Sequence, residues 1–250
     1  MLVAIYGKQA FTGLEEVSLL DSAAFGPHMR TMRILPAVLL LSAATFLAAG
    51  PASAQAPARD QAQAQAQAQG PAAAAEVERY INSIRTLKAR FVQSNPNGSV
   101  VQGTLYVRRP GRMRFEYDAP SQLKIVADGY QVTMWDIATK DFGQWPIGWT
   151  AASFLVKESL SLTGDLQVEK TERSDGMLHL TMSQAKKPQE GKVIVRLGEN
   201  PMVLRGWTII DNRGNHVNVS LQDVQAGMQL ADALFKFDGP DPGAIRRGGN

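Results

Sequence analysis

The 250-residue chain contains no cysteine and only three histidines. Without thiols the protein has no disulfides and no thiolate nucleophile or metal ligand. His179 and His216 lie in strand-like stretches without the spacings of metal-binding or catalytic motifs, and no glycine-rich phosphate loop occurs. These absences argue against an enzyme, and they predict neither a cofactor nor a metal site.

The chain also lacks a strong charge of either sign, since its formal net charge is +3. Such a mild and scattered excess does not indicate a nucleic-acid binder. Four arginines nevertheless cluster among aromatic residues around a Pro-Gly turn, namely Arg108, Arg109, Arg112 and Arg114. Such a cluster could stack on nucleic-acid bases or form the solvated face of a hairpin. Strand alternation favours the hairpin, with Arg112 and Arg114 pointing outward.

Long hydrophobic runs are absent except at 34–49, which is too short and alanine-rich for a confident membrane span. Arg30 and Arg33 precede this run and Ala-Ser-Ala follows it, so the sequence predicts a signal peptide over 29–54. Residues 1–28 are then a mis-assigned extension, with translation starting at Met29 or Met32, or else they precede an internal signal anchor. Pro51 stands where lipidation would require cysteine, so we expect a soluble, unlipidated periplasmic protein.

Composition divides the remainder of the chain into three parts. Residues 55–75 are rich in Gln, Ala and Pro and predict a disordered leader, because such sequence buries little apolar surface. Residues 76–240 have the size of one domain. Residues 241–250 are rich in Gly and Arg and predict a flexible tail.

Apolar periodicity predicts helix first and strands afterwards. Spacings of three and four over 76–93 indicate an amphipathic helix. From Ser99 the period becomes two, and turn residues separate successive short segments, which predicts an antiparallel meander. At 141–162 the alternation breaks, and Thr150 is expected to cap a short helix that reaches Leu160.

Strand patterns resume at 165 and continue to a final edge strand around Phe235 and Phe237. The total is about ten or eleven antiparallel strands. A sheet of that length curls, and helices must cover its exposed apolar face. The predicted fold class is therefore α+β, a curved and incompletely closed antiparallel barrel with a helical lid. Aromatic residues near the break either fill an ordinary core or line an adaptable apolar cavity.

One stretch, GTLYVRRPGRMRFEYDAPSQLKIVADGYQVTMWD, together with the preceding ARFVQ, resembles the LolA family of periplasmic outer-membrane lipoprotein carriers. The resemblance extends over about 76–238. It implies an unclosed barrel whose helical lid encloses a hydrophobic cavity for lipoprotein acyl chains. It also implies a monomer that accepts cargo from an ATP-driven inner-membrane exporter and passes it to an outer-membrane receptor.

The resemblance assigns residues as well. Arg109 matches the arginine that hydrogen-bonds the lid and holds the cavity shut. The expected cargo cavity comprises Met113, Phe115, Tyr117, Met134, Trp135, Phe154 and Trp207, although Met113 stands where the family usually has an aromatic residue. The alternative is a periplasmic lipid-binding or envelope-sensing protein on the same fold.

Overall fold

The computed structural model describes residues 56–240. The predicted N-terminal extension (1–28), signal peptide (29–54) and tail (241–250) lie outside the described residues. Within the described part, no helix is both long and apolar enough to cross a membrane. Of the described residues, 64–240 belong to one compact unit.

The helix α1 spans Ala56–Ser83 and differs at both ends from the sequence-based expectation. It occupies most of the segment predicted to be a disordered leader, where alanine and glutamine have high helix propensity. The predicted helix over 76–93 ends at Ser83, and a strand begins at Thr86 within that range. Buried apolar residues form one stripe on α1 that faces the sheet, namely Ala73, Val77 and Ile81.

Eleven strands follow within the described residues, which confirms the predicted antiparallel sheet. They are β1 (Thr86–Ser94), β2 (Val100–Arg108), β3 (Arg112–Tyr117), β4 (Leu123–Asp128), β5 (Gln131–Asp136), β6 (Asp141–Pro146), β7 (Leu166–Ser174), β8 (Met177–Gln184), β9 (Gly191–Gly198), β10 (Val203–Asp211) and β11 (His216–Ala226). Short 3-10 turns occupy Ile147–Trp149, Ala151–Leu155, Pro188–Glu190 and Asp232–Phe235.

The strand order runs from β6 down to β1 and then from β11 down to β7. Every neighbouring pair is antiparallel. Strands β6 and β7 are the two edges and do not pair with each other, so the sheet is not closed. The pairing β1–β11 joins the two halves of the chain at the centre of the sheet.

One face of the sheet, called the inner face here, carries the core. A cross-strand row on this face contains Leu105, Phe115, Ile125 and Met134, which are register partners from β2 to β5. All four are buried. The part of α1 that contains Ala73, Val77 and Ile81 lies over this face, and the Tyr80 hydroxyl accepts a hydrogen bond from Leu204 N at 2.8 Å.

Residues 147–162, called the lid segment here, also lie on the inner face. They form 3-10 turns in place of the predicted helix from Thr150 to Leu160. Thr150 does not cap a helix, because its Oγ1 donates to Ile147 O at 3.0 Å. A helix of this length gains little from its own hydrogen bonds, so contacts with other elements determine its conformation. The apolar side chains Phe154, Leu155, Leu160 and Leu162 of the lid segment are buried.

The last described segment, residues 227–238, forms a C-terminal strap on the opposite, outer face. The prediction of a final strand at Phe235 and Phe237 is wrong, because this region forms a 3-10 turn at Asp232–Phe235. Basic side chains of β2 to β4 donate hydrogen bonds to the strap, namely Arg108, Arg112, Arg114 and Lys124. Arg114 is consequently buried beneath the strap and not solvated as predicted.

Candidate functional site

Arg109 joins two elements that do not pair as strands. Its Nε donates to Lys157 O at 2.6 Å, and its Nη2 donates to Asn82 Oδ1 at 2.9 Å and to Glu158 O at 3.4 Å. Its Nη1 donates to Ile81 O. Burial, with a smaller contribution from the charge of Arg85, lowers the pKa of Arg109. An arginine remains charged under such a shift, so the guanidinium keeps its donors.

The turn between β2 and β3 holds Arg109 in place. Arg109 N donates to Arg85 O at 2.8 Å, and Gly111 N donates to Val156 O at 2.8 Å. Gly111 has a positive φ of 76°, and a Cβ there would lie 2.7 Å from Gly129 Cα. Only glycine therefore allows this turn to approach both the lid segment and the neighbouring turn.

Two side chains of α1 also bind the lid segment. Asn82 donates through Nδ2 to Leu160 O at 2.9 Å and accepts from Leu160 N at 2.8 Å. Glu78 Oε2 accepts from Leu162 N at 2.8 Å. Arg109, Asn82 and Glu78 are together called the polar latch. Most of the hydrogen bonds between the lid segment and α1 or the β2–β3 turn pass through these side chains.

The inner face beneath the lid segment brings together most of the expected cavity residues. Met113, Phe115, Met134, Phe154 and Trp207 are buried members of one apolar cluster, and Tyr117 packs against it. Phe154 of the lid segment meets Trp207 of β10 edge to face, with ring centroids 6.0 Å apart. The lid segment thus supplies an aromatic cover for the sheet.

Trp135 does not belong to this group. It follows Met134 in β5, and consecutive residues of a strand point to opposite faces. Met134 is the residue on the inner face, so Trp135 lies on the outer face, where its ring is 6.5 Å from that of Phe142. Its assignment to the cavity is wrong for this geometric reason.

Sequence reasoning missed Phe91 as a member of the site. Its ring meets Phe115 at 5.3 Å and Tyr117 at 5.2 Å, both edge to face. Gly103 lies opposite Phe91, and a Cβ there would be 2.8 Å from the Phe91 ring. Every second residue of β1 points inward, which is a strand pattern that the sequence contains. The apolar residues of the same stretch also fit the spacing of a helix, and that spacing led to the helical prediction.

The inner face also carries a polar pair. Tyr117 OH donates to Gln93 Oε1 at 3.1 Å, and Gln93 Nε2 donates to Asn95 Oδ1. Burial raises the pKa of Tyr117, which keeps the phenol neutral and able to donate. These polar groups therefore satisfy one another. Among the described residues, no group of three or more His, Asp or Glu side chains could hold a metal ion.

Comparison with known proteins supports the resemblance. The family described as outer membrane lipoprotein carrier protein LolA matches residues 82–238. The chain is 28% identical over 176 residues to an outer-membrane lipoprotein carrier protein of Legionella pneumophila (strain Lens), over 67% of this chain and 86% of that protein. The corresponding protein of Methylococcus capsulatus is also 28% identical, over 66% of this chain and 83% of its own length.

Solved structures add a weaker comparison. A LolA superfamily protein from Nitrosomonas europaea aligns with a TM-score of 0.38 at 10% identity, over 66% of this chain and 98% of that chain. A likeness of this size carries no structural argument.

Proposed function

The chain belongs to the LolA family of outer-membrane lipoprotein carrier proteins, and on that premise we propose that it binds the acyl chains of lipoproteins between its inner face and its lid segment. The observation that supports this most directly is an apolar sheet face covered by a segment without regular strand pairing. The polar latch holds that cover through side chains, which allows the cover to move while the sheet stays intact.

Acyl-chain chemistry explains why such a carrier is required. Burial contributes about 0.8 kcal/mol per methylene, so one long chain costs roughly 10 kcal/mol to expose to water. The inner face offers buried aliphatic and aromatic side chains in place of water. A carrier of this kind crosses the periplasm with its cargo, accepting it from an ATP-driven inner-membrane exporter and passing it to an outer-membrane receptor. We propose that it does so as a monomer and without catalysis.

The polar latch gives the carrier a means of release. A closed cover must open before cargo enters, and the free energy of opening subtracts from the affinity. Arg109 contributes four of the hydrogen bonds that hold the cover closed or brace it against α1. Its proposed role is to weaken the grip on cargo, so that a receptor with a stronger grip can take over.

The test is the transfer of a triacylated lipoprotein from inner-membrane vesicles to the purified chain, and then to the outer membrane. We expect the wild type to strip the lipoprotein and release it. Arg109→Leu should strip it but release it at least about tenfold more slowly, since about 1.4 kcal/mol of latch free energy corresponds to that factor. Arg85→Leu, at an exposed arginine near the same turn, is the matched control and should behave as the wild type.

Two results would contradict the proposal at different points. Normal release by Arg109→Leu would remove the latch role but leave the carrier function intact. Failure of the wild type to strip any lipoprotein would remove the carrier function and favour a lipid-binding or envelope-sensing protein on the same fold.

A further inference from the structure

Trp207 carries an unpaired hydrogen-bond donor in the apolar core. Its side chain is fully buried, and its indole Nε1 has no hydrogen-bond partner. A buried indole N–H normally finds an acceptor. Leaving a buried donor unpaired costs about 1–3 kcal/mol, so the position is unfavourable unless another state of the protein supplies an acceptor.

The position of Trp207 shows where an acceptor can come from. Its register partners on either side, Val195 in β9 and Val219 in β11, are buried aliphatic residues that offer no side-chain acceptor. The ring of Phe154 closes over it from the lid segment. Sheet neighbours are fixed by strand pairing, whereas the lid segment is attached through the polar latch. The contact of Trp207 that a ligand can replace is therefore the one with Phe154.

Gln93, another polar residue on the inner face, has its hydrogen-bond partners within the protein. Gln93 lies in the same cross-strand row, with Val219 between the two residues. The amide oxygen of Gln93 accepts from Tyr117, and its nitrogen donates to Asn95. Two buried polar atoms of this row are left without a partner in the described structure: the indole nitrogen of Trp207 and the hydroxyl of Thr171 in the edge strand β7. Phe154 of the lid segment packs against the indole.

We infer that Trp207 Nε1 donates a hydrogen bond to the ester or amide carbonyl of an acylated ligand once the lid segment is displaced. The inference rests on the proposed function and adds a polar determinant to it. Hydrocarbon chains carry no acceptor, so burial of methylenes alone does not distinguish an acyl group from other apolar matter. The carbonyl at the head of an acyl chain does provide that distinction, and a water-free site strengthens the bond.

The experiment compares two ligands that differ only in the carbonyl. Dioctanoylglycerol has ester carbonyls, and its dioctyl ether analogue has none. Calorimetric titration of the full chain should show the ester binding about threefold to tenfold more tightly, the factor expected for one net hydrogen bond. Replacing Trp207 by its sulfur isostere, β-(3-benzothienyl)alanine, removes the donor while keeping the ring size. This variant should bind both ligands equally.

A matched control places the same isostere at Trp135, on the outer face, where the ester preference should persist. A second readout needs no variant: in the wild type, the indole proton of Trp207 should move downfield in the NMR spectrum with the ester and not with the ether. Equal affinity of the wild type for both ligands, or an ester preference that survives in the Trp207 isostere, would overturn the inference and leave acyl-chain binding standing. Binding of neither ligand would remove the proposed function itself.

Discussion

Arg109 is suited to its position by the shape of its side chain. A planar guanidinium presents donors in a fixed fork, and here they reach main-chain oxygens of Ile81, Lys157 and Glu158. Lysine has the same charge but a single rotating ammonium, so it cannot span acceptors on two separate elements. The sequence resemblance pointed to Arg109, but three of its four partners are backbone oxygens, which carry no sequence signal. That is why the latch as a whole could not be predicted.

Gly111 gives the first prediction at the residue scale. Gly111→Ala should lower the free energy of unfolding by about 2–4 kcal/mol, because a positive φ strains alanine and its Cβ overlaps the backbone of Gly129. Gly98→Ala is the control, since Gly98 has a similar φ of 80° with nothing within 4 Å of a Cβ. Urea denaturation should show a loss of only about 1 kcal/mol there. Equal losses in the two variants would show that crowding at Gly129 is relieved by a shift of the turn.

At the scale of elements, strand alternation was informative wherever one face is buried. It predicted β2 to β5 and the strands after 165, because inward and outward residues alternate there. It failed in β1, where Leu87 and Phe91 continue the helical spacing of Ile84. The inward residue between them, Ala89, is too small to stand out as apolar. Burial of Ala89 in the sheet becomes visible only when β2 and β11 are in place.

The lid segment and the strap were less predictable for a different reason. Neither is regular secondary structure, so periodicity does not describe them. Phe235 and Phe237 alternate as strand residues do, yet Phe235 packs under the guanidinium of Arg108 at 5.0 Å. Contacts with side chains 48 to 124 positions away in the sequence hold these two segments, and a local pattern does not contain that information.

Phe235 is the apolar anchor of the strap. Asp232 and Asp238 of the strap pair with the basic side chains of β2 to β4. Both carboxylates are exposed, and exposed ion pairs contribute little. Phe235→Ala should therefore detach the strap while the sheet stays folded. Hydrogen exchange at Leu234 and Lys236, whose amides bond within the strap, should accelerate at least about tenfold, which corresponds to about 1.4 kcal/mol of local stability.

Lys236→Ala is the matched control for the strap, because it truncates an exposed neighbour in the same turn. Its exchange rates should equal those of the wild type. If Phe235→Ala instead lowered global stability by the full 3–5 kcal/mol typical of a core phenylalanine, the strap would be an integral part of the sheet.

At the scale of the whole molecule, the hydrogen-bonded sheet contrasts with the cover over its inner face, which the proposed function requires to move. Strand pairing is unbroken across the sheet, from the edge strand β6 through the central strand β1 to the other edge strand β7. The edge strand β7 carries charged residues such as Lys170 and Glu172, which discourage pairing with other chains. The cover over the inner face is held by the polar latch and by apolar contacts. Opening the cover would thus expose the inner face without breaking the hydrogen bonds between the strands of the sheet.

Asn82 tests this separation, since it joins α1, Arg109 and the lid segment. Asn82→Ala should favour the open cover by about 1–2 kcal/mol, the usual value for losing buried hydrogen bonds. Since the proposed function requires the cover to open before ligand binds, affinity for an acyl ligand should rise about fivefold to thirtyfold, the same free energy expressed as a ratio. Exchange of the Leu160 amide should accelerate by a similar factor. Ser83→Ala, next to Asn82 on the exposed side of α1, should change neither quantity. Faster exchange at Leu160 without a gain in affinity would show that cover opening and ligand binding are uncoupled.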